Sequence, residues 1–144
     1  MIDHAAARIE ALLEKPYWVI DLLPEQVPAD SPGQFFAVEK HFRREPRHAA
    51  LLRKRADLLL KLNCYRDFCV DGETVNPAPA ELAIVIEIRY VAILVNDALI
   101  TSDPDDIYIT VYNPDGRLLE LLGALAEAEG LFLWKPPQDT EIKD

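Results

Sequence analysis

The stretch "VAILVNDALITSDPDDIYITVY", residues 91–112, decides the fold. It contains three runs of branched and aromatic residues, at 91–95, 98–101 and 107–112, and such runs are typical of β-strands. The Asn-Asp pair at 96–97 separates the first two runs, and these residue types tolerate the left-handed backbone that a two-residue hairpin turn needs. The stretch therefore predicts three consecutive antiparallel strands, a β-meander.

An acidic segment separates the second and third predicted strands and carries Asp103, Asp105 and Asp106. Asp-Pro-Asp favours a turn, because proline presets the backbone and aspartate hydrogen-bonds to it. A calcium loop of the EF-hand type needs a glycine at its sixth position and a glutamate at its twelfth, and this segment has neither. We therefore expect the polar tip of a hairpin and no metal. Tyr108 and Tyr112 follow it, and tyrosine often anchors protein interfaces.

Helical patterns flank the meander on both sides, at residues 3–14, 35–42, 46–63, 77–90 and 115–129. Segment 77–90 is ambiguous, because "IVIEI" within it alternates nearly as a strand does. Asn76-Pro77 is a helix start signal, with Asn as cap and Pro at the first position, and it favours the helix. Three further short runs are typical of strands, at 17–23, 67–73 and 131–135.

Interspersed helices and strands predict an α+β fold. A chain of 144 residues is long enough for one domain with a sizeable core. We expect this domain over residues 1–137, with a mixed, mainly antiparallel sheet that helices cover on one face. Residues 138–144 are expected to form a frayed acidic tail.

The charge is unevenly distributed, and its distribution bears on the kind of partner. Residues 38–67 hold nine basic and four acidic residues, a net charge of +5, whereas the rest of the chain holds six and 21, a net charge of −15. The whole chain has a net charge of −10. A negative surface of this kind disfavours nucleic acid and anionic membranes as main partners and favours a basic protein.

The sequence also bears on location and covalent chemistry. The N-terminus lacks the basic start and continuous apolar run of a signal peptide, and the most apolar stretch, 82–100, contains charged residues that disfavour a membrane span. We therefore expect a cytoplasmic protein. Cys64 and Cys69 have no partners with zinc-site spacing and form no disulfide framework, so we expect two reduced thiols, buried as free cysteines commonly are.

His48 and Arg55 lie within the leucine-rich face of helix 46–63. A buried guanidinium needs a partner, so we expect either an internal carboxylate, with Asp21 and Glu87 as candidates, or a position at the rim of the core. The functional alternative is an anion pocket around Arg55 and His48, with Trp18 or Trp134 as an aromatic wall.

Signatures of catalysis are scarce. Neither serine lies in a nucleophile elbow, the five glycines form no phosphate loop, and no cofactor motif is present. The sequence leaves enzymatic activity open and favours a non-enzymatic interaction protein, of the inhibitor or immunity type, that recognises a basic protein. A homo-oligomer formed through an exposed edge of the meander is a further possibility.

Overall fold

The α+β class is confirmed, and one antiparallel sheet of seven strands organises the chain. The structure, a computed structural model, describes residues 2–137, so the tail predicted over 138–144 lies outside the described residues. In chain order the elements are α1 (Ile2–Leu12), β1 (Tyr17–Asp21), α2 (Phe35–Phe42), α3 (Arg47–Asn63), β2 (Cys69–Val70), β3 (Thr74–Val75), α4 (Pro79–Ile88), β4 (Val91–Val95), β5 (Ala98–Ser102), β6 (Ile109–Tyr112), α5 (Gly116–Ala128) and β7 (Phe132–Trp134).

The predicted meander is present as β4, β5 and β6, and it lies in the middle of the sheet. The strand order is β3-β2-β4-β5-β6-β1-β7, and every pair among the described strands is antiparallel, so the sheet is not mixed. The meander has no free edge in this part of the chain, because β2 pairs with β4 and β1 pairs with β6. The two sheet edges are instead the short strands β3 and β7.

One face of the sheet, here called the closed face, carries the main core. Alternating strand residues such as Ile93, Ile100 and Val111 belong to the same buried cluster as the leucines of α3, α4 and α5. Several of these helix side chains have no solvent exposure, namely Leu58, Leu59, Leu62, Leu82, Ile86 and Leu122. Burial of this apolar surface, at about 25 cal/mol per Å², is the main stabilising contribution to the fold.

The opposite face, here called the open face, has a much smaller core. Leu12 of α1 forms a second buried cluster with Ala92, Leu94 and Leu99. The turn between β2 and β3 approaches α1 closely: a Cβ added at Gly72, where φ is +74°, would lie 2.7 Å from the Cβ of Ala5. Thus α1 adds a helix to the second face of the sheet but covers only its β2–β4–β5 part.

The ambiguous segment 77–90 is a helix, as its start signal indicated, but the cap differs from the one expected. Ala78 occupies the cap position of α4 and Pro79 its first turn. Asn76 instead has a positive φ of 46°, and its side-chain oxygen accepts a hydrogen bond from the Phe68 amide. The asparagine therefore closes the preceding β2–β3 hairpin rather than starting the helix.

Candidate functional site

The aspartate loop, residues 103–108, connects β5 to β6 and has the geometry of a turn. The Asp103 carboxylate accepts a hydrogen bond of 3.0 Å from the Asp105 amide, and the Asp103 carbonyl accepts another of 3.0 Å from the Asp106 amide. These bonds are the turn chemistry expected from Asp-Pro-Asp. The Asp103 carboxylate and carbonyl are thus both engaged within the loop, whereas the Asp105 side chain is exposed to solvent.

Arg55 of α3 binds the aspartate loop from the closed face of the sheet and is only 3% exposed. Its Nη1 donates to the Ser102 hydroxyl at 3.3 Å and to the Asp103 carbonyl at 2.8 Å. Its Nη2 donates to the carbonyls of Asp106 at 2.5 Å and Tyr108 at 3.3 Å. The guanidinium thus binds four internal oxygens, three of them in the backbone of the loop.

The partners of Arg55 differ from the expected carboxylates. Asp21 and Glu87 form no ion pair with it among the described residues. Burial lowers the pKa of Arg55 to about 10, and the charges of Asp106 and Asp103 act in the opposite direction. Arg55 is therefore still charged at neutral pH and is stabilised by carbonyl dipoles and by two carboxylates at longer range.

His48 lies about two turns earlier on α3 and contacts the same loop. Its Nε2 lies 2.6 Å from the Pro104 carbonyl, which fixes that nitrogen as the protonated donor, because a carbonyl only accepts. Its Nδ1 lies 3.6 Å from the Glu45 carboxylate. The structure thus brings His48 and Arg55 together, but both bind the aspartate loop and not a common cavity.

The two tryptophans that were grouped with them lie apart. Trp18 packs against the core of the closed face, whereas Trp134 lines a cleft on the open face. With both terminal nitrogens of Arg55 already bonded to internal oxygens, little of the guanidinium is left for an external anion. The geometry around Arg55 is that of a structural anchor.

The cleft has a volume of about 490 Å³, within the range of about 300–1,000 Å³ usual for ligand sites. It lies between the end of α1, the segment after β1 and the first half of α2. Its lining residues are Leu13, Tyr17, Val19, Asp21, Leu23, Glu25, Gln26, Val27, Phe35, Glu39, Ile107, Tyr108, Thr110, Tyr112, Trp134 and Pro136. Three carboxylates and no basic side chain are in this lining.

Strand alternation brings the floor of the cleft together. Successive side chains on a strand point to opposite faces, so Tyr17, Val19 and Asp21 of β1 share the open face. Cross-strand pairing places Tyr112 opposite Tyr17, and Trp134 opposite Val19. Three chain segments that are distant in sequence therefore supply one surface.

Asp21 is the most unusual residue of this floor, because it is only 9% exposed and no basic side chain of the described chain forms an ion pair with it. Its Oδ1 accepts a hydrogen bond of 2.6 Å from the Leu22 amide. Burial raises the pKa of Asp21, the backbone hydrogen bonds of Leu22 and Leu23 lower it, and the charge of Glu39 raises it further. A buried carboxylate without a cation is costly unless another group compensates it.

Aromatic side chains line the same cleft as this carboxylate. The ring centroids of Tyr17 and Tyr112 are 5.7 Å apart, and the Trp134 indole donates a hydrogen bond of 2.8 Å to the Leu23 carbonyl. Tyr108 is 38% exposed, and its pKa is raised by burial and by the charges of Asp106 and Asp21. The phenol is therefore a neutral hydrogen-bond donor at physiological pH, beside the acidic floor.

Three residues of the cleft, Tyr108, Tyr112 and Trp134, are candidate site residues in the sequence, but the sequence patterns place them in two separate sites. Asp21 is there only a candidate partner of Arg55. The available signal was the alternation in "YWVID", residues 17–21, which places Asp21 on the same face as Tyr17. The aspartate loop and the cleft are neighbours, because Tyr108 belongs to both.

Other kinds of site receive no support from the described residues. No group of three or more His, Cys, Asp or Glu side chains within 2–137 is placed to hold a metal ion. Both cysteines are free; Cys64 is exposed and Cys69 half-buried, which differs from the expected burial. None of the described helices is both long and apolar enough to cross a bilayer. Comparisons with protein-family models, curated proteins and solved structures find no match.

Proposed function

We propose that this chain is a non-enzymatic, cytoplasmic binding protein that recognises a basic protein partner through its open face. The observation that carries the proposal is the cleft, in which Asp21 is buried without an ion pair in residues 2–137 and shares the floor with aromatic side chains. An inhibitor or immunity-type protein works by covering such a partner, and it needs a complementary surface and no catalytic group.

The charges around the cleft support a positively charged partner. Asp21, Glu25 and Glu39 line it, and the exposed Asp105 lies on the adjacent loop. Glu39 is partly neutralised by Arg43, whose Nη2 lies 3.4 Å from its carboxylate. Complementary potentials of this kind raise association rates and suppress like-charged competitors.

The aromatic content supports a protein rather than a small ion as the partner. Tyrosine and tryptophan supply contact area at low conformational cost and dominate binding energy at interfaces. Tyr108 and Leu13 are partly exposed at the cleft, at 38% and 41%. The anion-pocket alternative is less well supported, because Arg55 is already bonded to the aspartate loop.

An oligolysine titration tests the proposal, with oligoglutamate as the negative probe. We expect oligolysine to bind at low salt and the affinity to fall as salt screens the interaction. Asp105→Lys is expected to weaken binding about tenfold, as the loss of a close charge pair does. Glu120→Lys is the matched control, because Glu120 is exposed on α5, a helix of the closed face.

The two variants have the same charge change, so only the position differs between them. If Asp105→Lys and Glu120→Lys weaken binding equally, the attraction is a net-charge effect and the open face is not the binding surface. Failure of oligolysine to bind the unmodified protein at low salt contradicts the proposal altogether.

A further inference from the structure

The residues in the floor of the cleft indicate which kind of chemical group binds there. Asp21 is buried, lines the cavity and forms no ion pair among the residues that the structure describes. A cation that enters the cleft compensates this charge without new desolvation of the carboxylate. The ligand group most favoured here is therefore positively charged.

The hydrogen bonding of Asp21 bears on which cation fits. Its Oδ1 is already engaged by the Leu22 amide at 2.6 Å. A guanidinium binds carboxylates best through two parallel hydrogen bonds, one to each oxygen. The Leu23 amide also hydrogen-bonds to this carboxylate, so the two oxygens are not both open to a parallel pair of bonds. An ammonium is a compact point charge that needs one lone pair only, and it suits this carboxylate better.

The walls of the cleft suit the rest of a lysine side chain. Trp134 pairs with Val19, two residues from Asp21 on the same face of β1, and its indole lies at Leu23, so its aromatic surface is the one near the carboxylate that favours an ammonium. Val19 and Leu13 offer apolar surface for a methylene stem. A volume of about 490 Å³ leaves room for the partner's backbone as well.

We infer that the cleft receives the side chain of one lysine of the partner, with its ammonium bound to Asp21 and its stem against Val19 and Trp134. This inference rests on the proposed function and specifies the residue that the basic partner inserts. It also assigns Asp21, and not the exposed Asp105, as the carboxylate that selects the chemical group.

The test uses small probes on the full chain, followed by NMR of the Trp134 indole. The probes are Nα-acetyl-lysine methylamide, its arginine counterpart and its Nε-acetylated, neutral counterpart. We expect the lysine probe to bind more tightly than the arginine probe, and the neutral probe not to bind. Asp21→Asn is expected to weaken the lysine probe at least about tenfold, because it removes a charge-assisted hydrogen bond. Glu120→Gln is the control and is expected to leave affinity unchanged.

A second measurement does not depend on the variant folding. In the unmodified protein, intermolecular NOEs are expected between the probe's side-chain methylenes and the ring of Trp134. Equal or tighter binding of the arginine probe, an unchanged affinity in a folded Asp21→Asn variant, or absence of these NOEs overturns the inference. In that case a selective loss of oligolysine binding in Asp105→Lys still upholds the proposed function. If neither the lysine-probe result nor the oligolysine result is obtained, the inference and the proposed function are both rejected.

Discussion

The two faces of the sheet differ in how completely the chain covers them. On the closed face, three helices pack against the strands, and side chains such as Leu59 and Leu82 have no solvent exposure. On the open face, α1 buries Leu12 over one half, and the other half forms the cleft with Asp21 in its floor. A charged residue in a partly open, aromatic cleft does not contribute to the packing of the hydrophobic core.

The residues that hold the fold together and the residues proposed to recognise a partner therefore lie on opposite sides of one layer. Strand alternation makes the separation possible, because neighbouring residues of β1 point to opposite faces. Ile20 belongs to the main core, whereas Asp21 lines the cleft. Substitutions on the two faces should therefore affect different properties.

Truncation of a closed-face leucine is expected to have the largest effect. Leu59→Ala should lower the free energy of unfolding by about 3–5 kcal/mol, because it leaves a cavity in a fully buried cluster. Leu12→Ala on the open face should cost about 2 kcal/mol, at the lower end of the usual range, because its cluster is small. Urea unfolding measures both values, and a larger cost for Leu12→Ala would contradict the assignment of the main core.

Removal of Arg55 tests the contact between α3 on the closed face and the loop that leads to the cleft. Arg55→Met should destabilise the protein by about 2 kcal/mol, since several carbonyls of residues 103–108 lose a buried donor while the cost of burying a charge disappears. Hydrogen exchange should increase at the amides of this loop. Arg55→Lys keeps the positive charge but not the two terminal nitrogens of the guanidinium, so it should show an intermediate effect. Full stability and unchanged hydrogen exchange in Arg55→Met would show that these contacts of Arg55 are dispensable.

The cap of α5 predicts a smaller effect, again on the closed face. The Asp115 carboxylate accepts a hydrogen bond of 2.8 Å from the Leu118 amide. Asp115→Ala should lower stability by about 1 kcal/mol, and Asp115→Asn, which keeps the acceptor, should lower it less. Thermal unfolding of the two variants provides the comparison, and equal losses would show that the hydrogen bond contributes little.

Asp21→Asn should give the smallest stability change and the opposite sign. Because burial raises the pKa of Asp21 above its ordinary value of 3.8, the folded state binds this proton more tightly than the unfolded chain. Its contribution to stability is therefore present below the unfolded pKa and is lost as pH rises through the folded pKa. At pH 7, above the unfolded pKa, the raised folded pKa disfavours folding, so Asp21→Asn should stabilise the protein there and change little at strongly acidic pH.

Urea unfolding at both pH values checks this sign, with Glu120→Gln as the matched loss of an exposed charge. A destabilised Asp21→Asn variant at neutral pH would show that the carboxylate has a cationic partner within the fold. Asp21 on the open face would then stabilise the fold, as the core residues of the closed face do.

Sequence patterns predicted the fold well where the signal is local. The meander, the helix at 77–90 and the helix that begins after Asp115 follow from branched runs, turn residues and leucine stripes within short windows. The caps were less predictable: Asn76, the expected cap of α4, has a positive φ of 46°, and Ala78 occupies the cap position instead. Asparagine is favoured both at helix caps and in turns, and the sequence alone does not show which of the two roles a given asparagine takes.

The cleft was harder to predict, because it depends on which strands become neighbours. Tyr17 and Tyr112 face each other only because β1 pairs with β6, across most of the chain. Arg55 was correctly recognised as a residue that needs a partner, but its partners are backbone carbonyls, which carry no sequence signature. Trp18 and Trp134 were indistinguishable by type, and only the pairing register assigns one to each face.

The way Arg55 binds the aspartate loop has a consequence for how this protein can diversify. Three of its four acceptors are carbonyl oxygens, which every amino acid provides, so these hydrogen bonds do not depend on which side chains residues 103, 106 and 108 carry. The Asp103 and Asp106 charges add to the stabilisation of the guanidinium, and the Asp103 carboxylate closes the turn, whereas the exposed Asp105 and Tyr108 side chains have no such role in the anchor. Exchange of these two exposed side chains therefore changes the surface without a change in the backbone path of the loop.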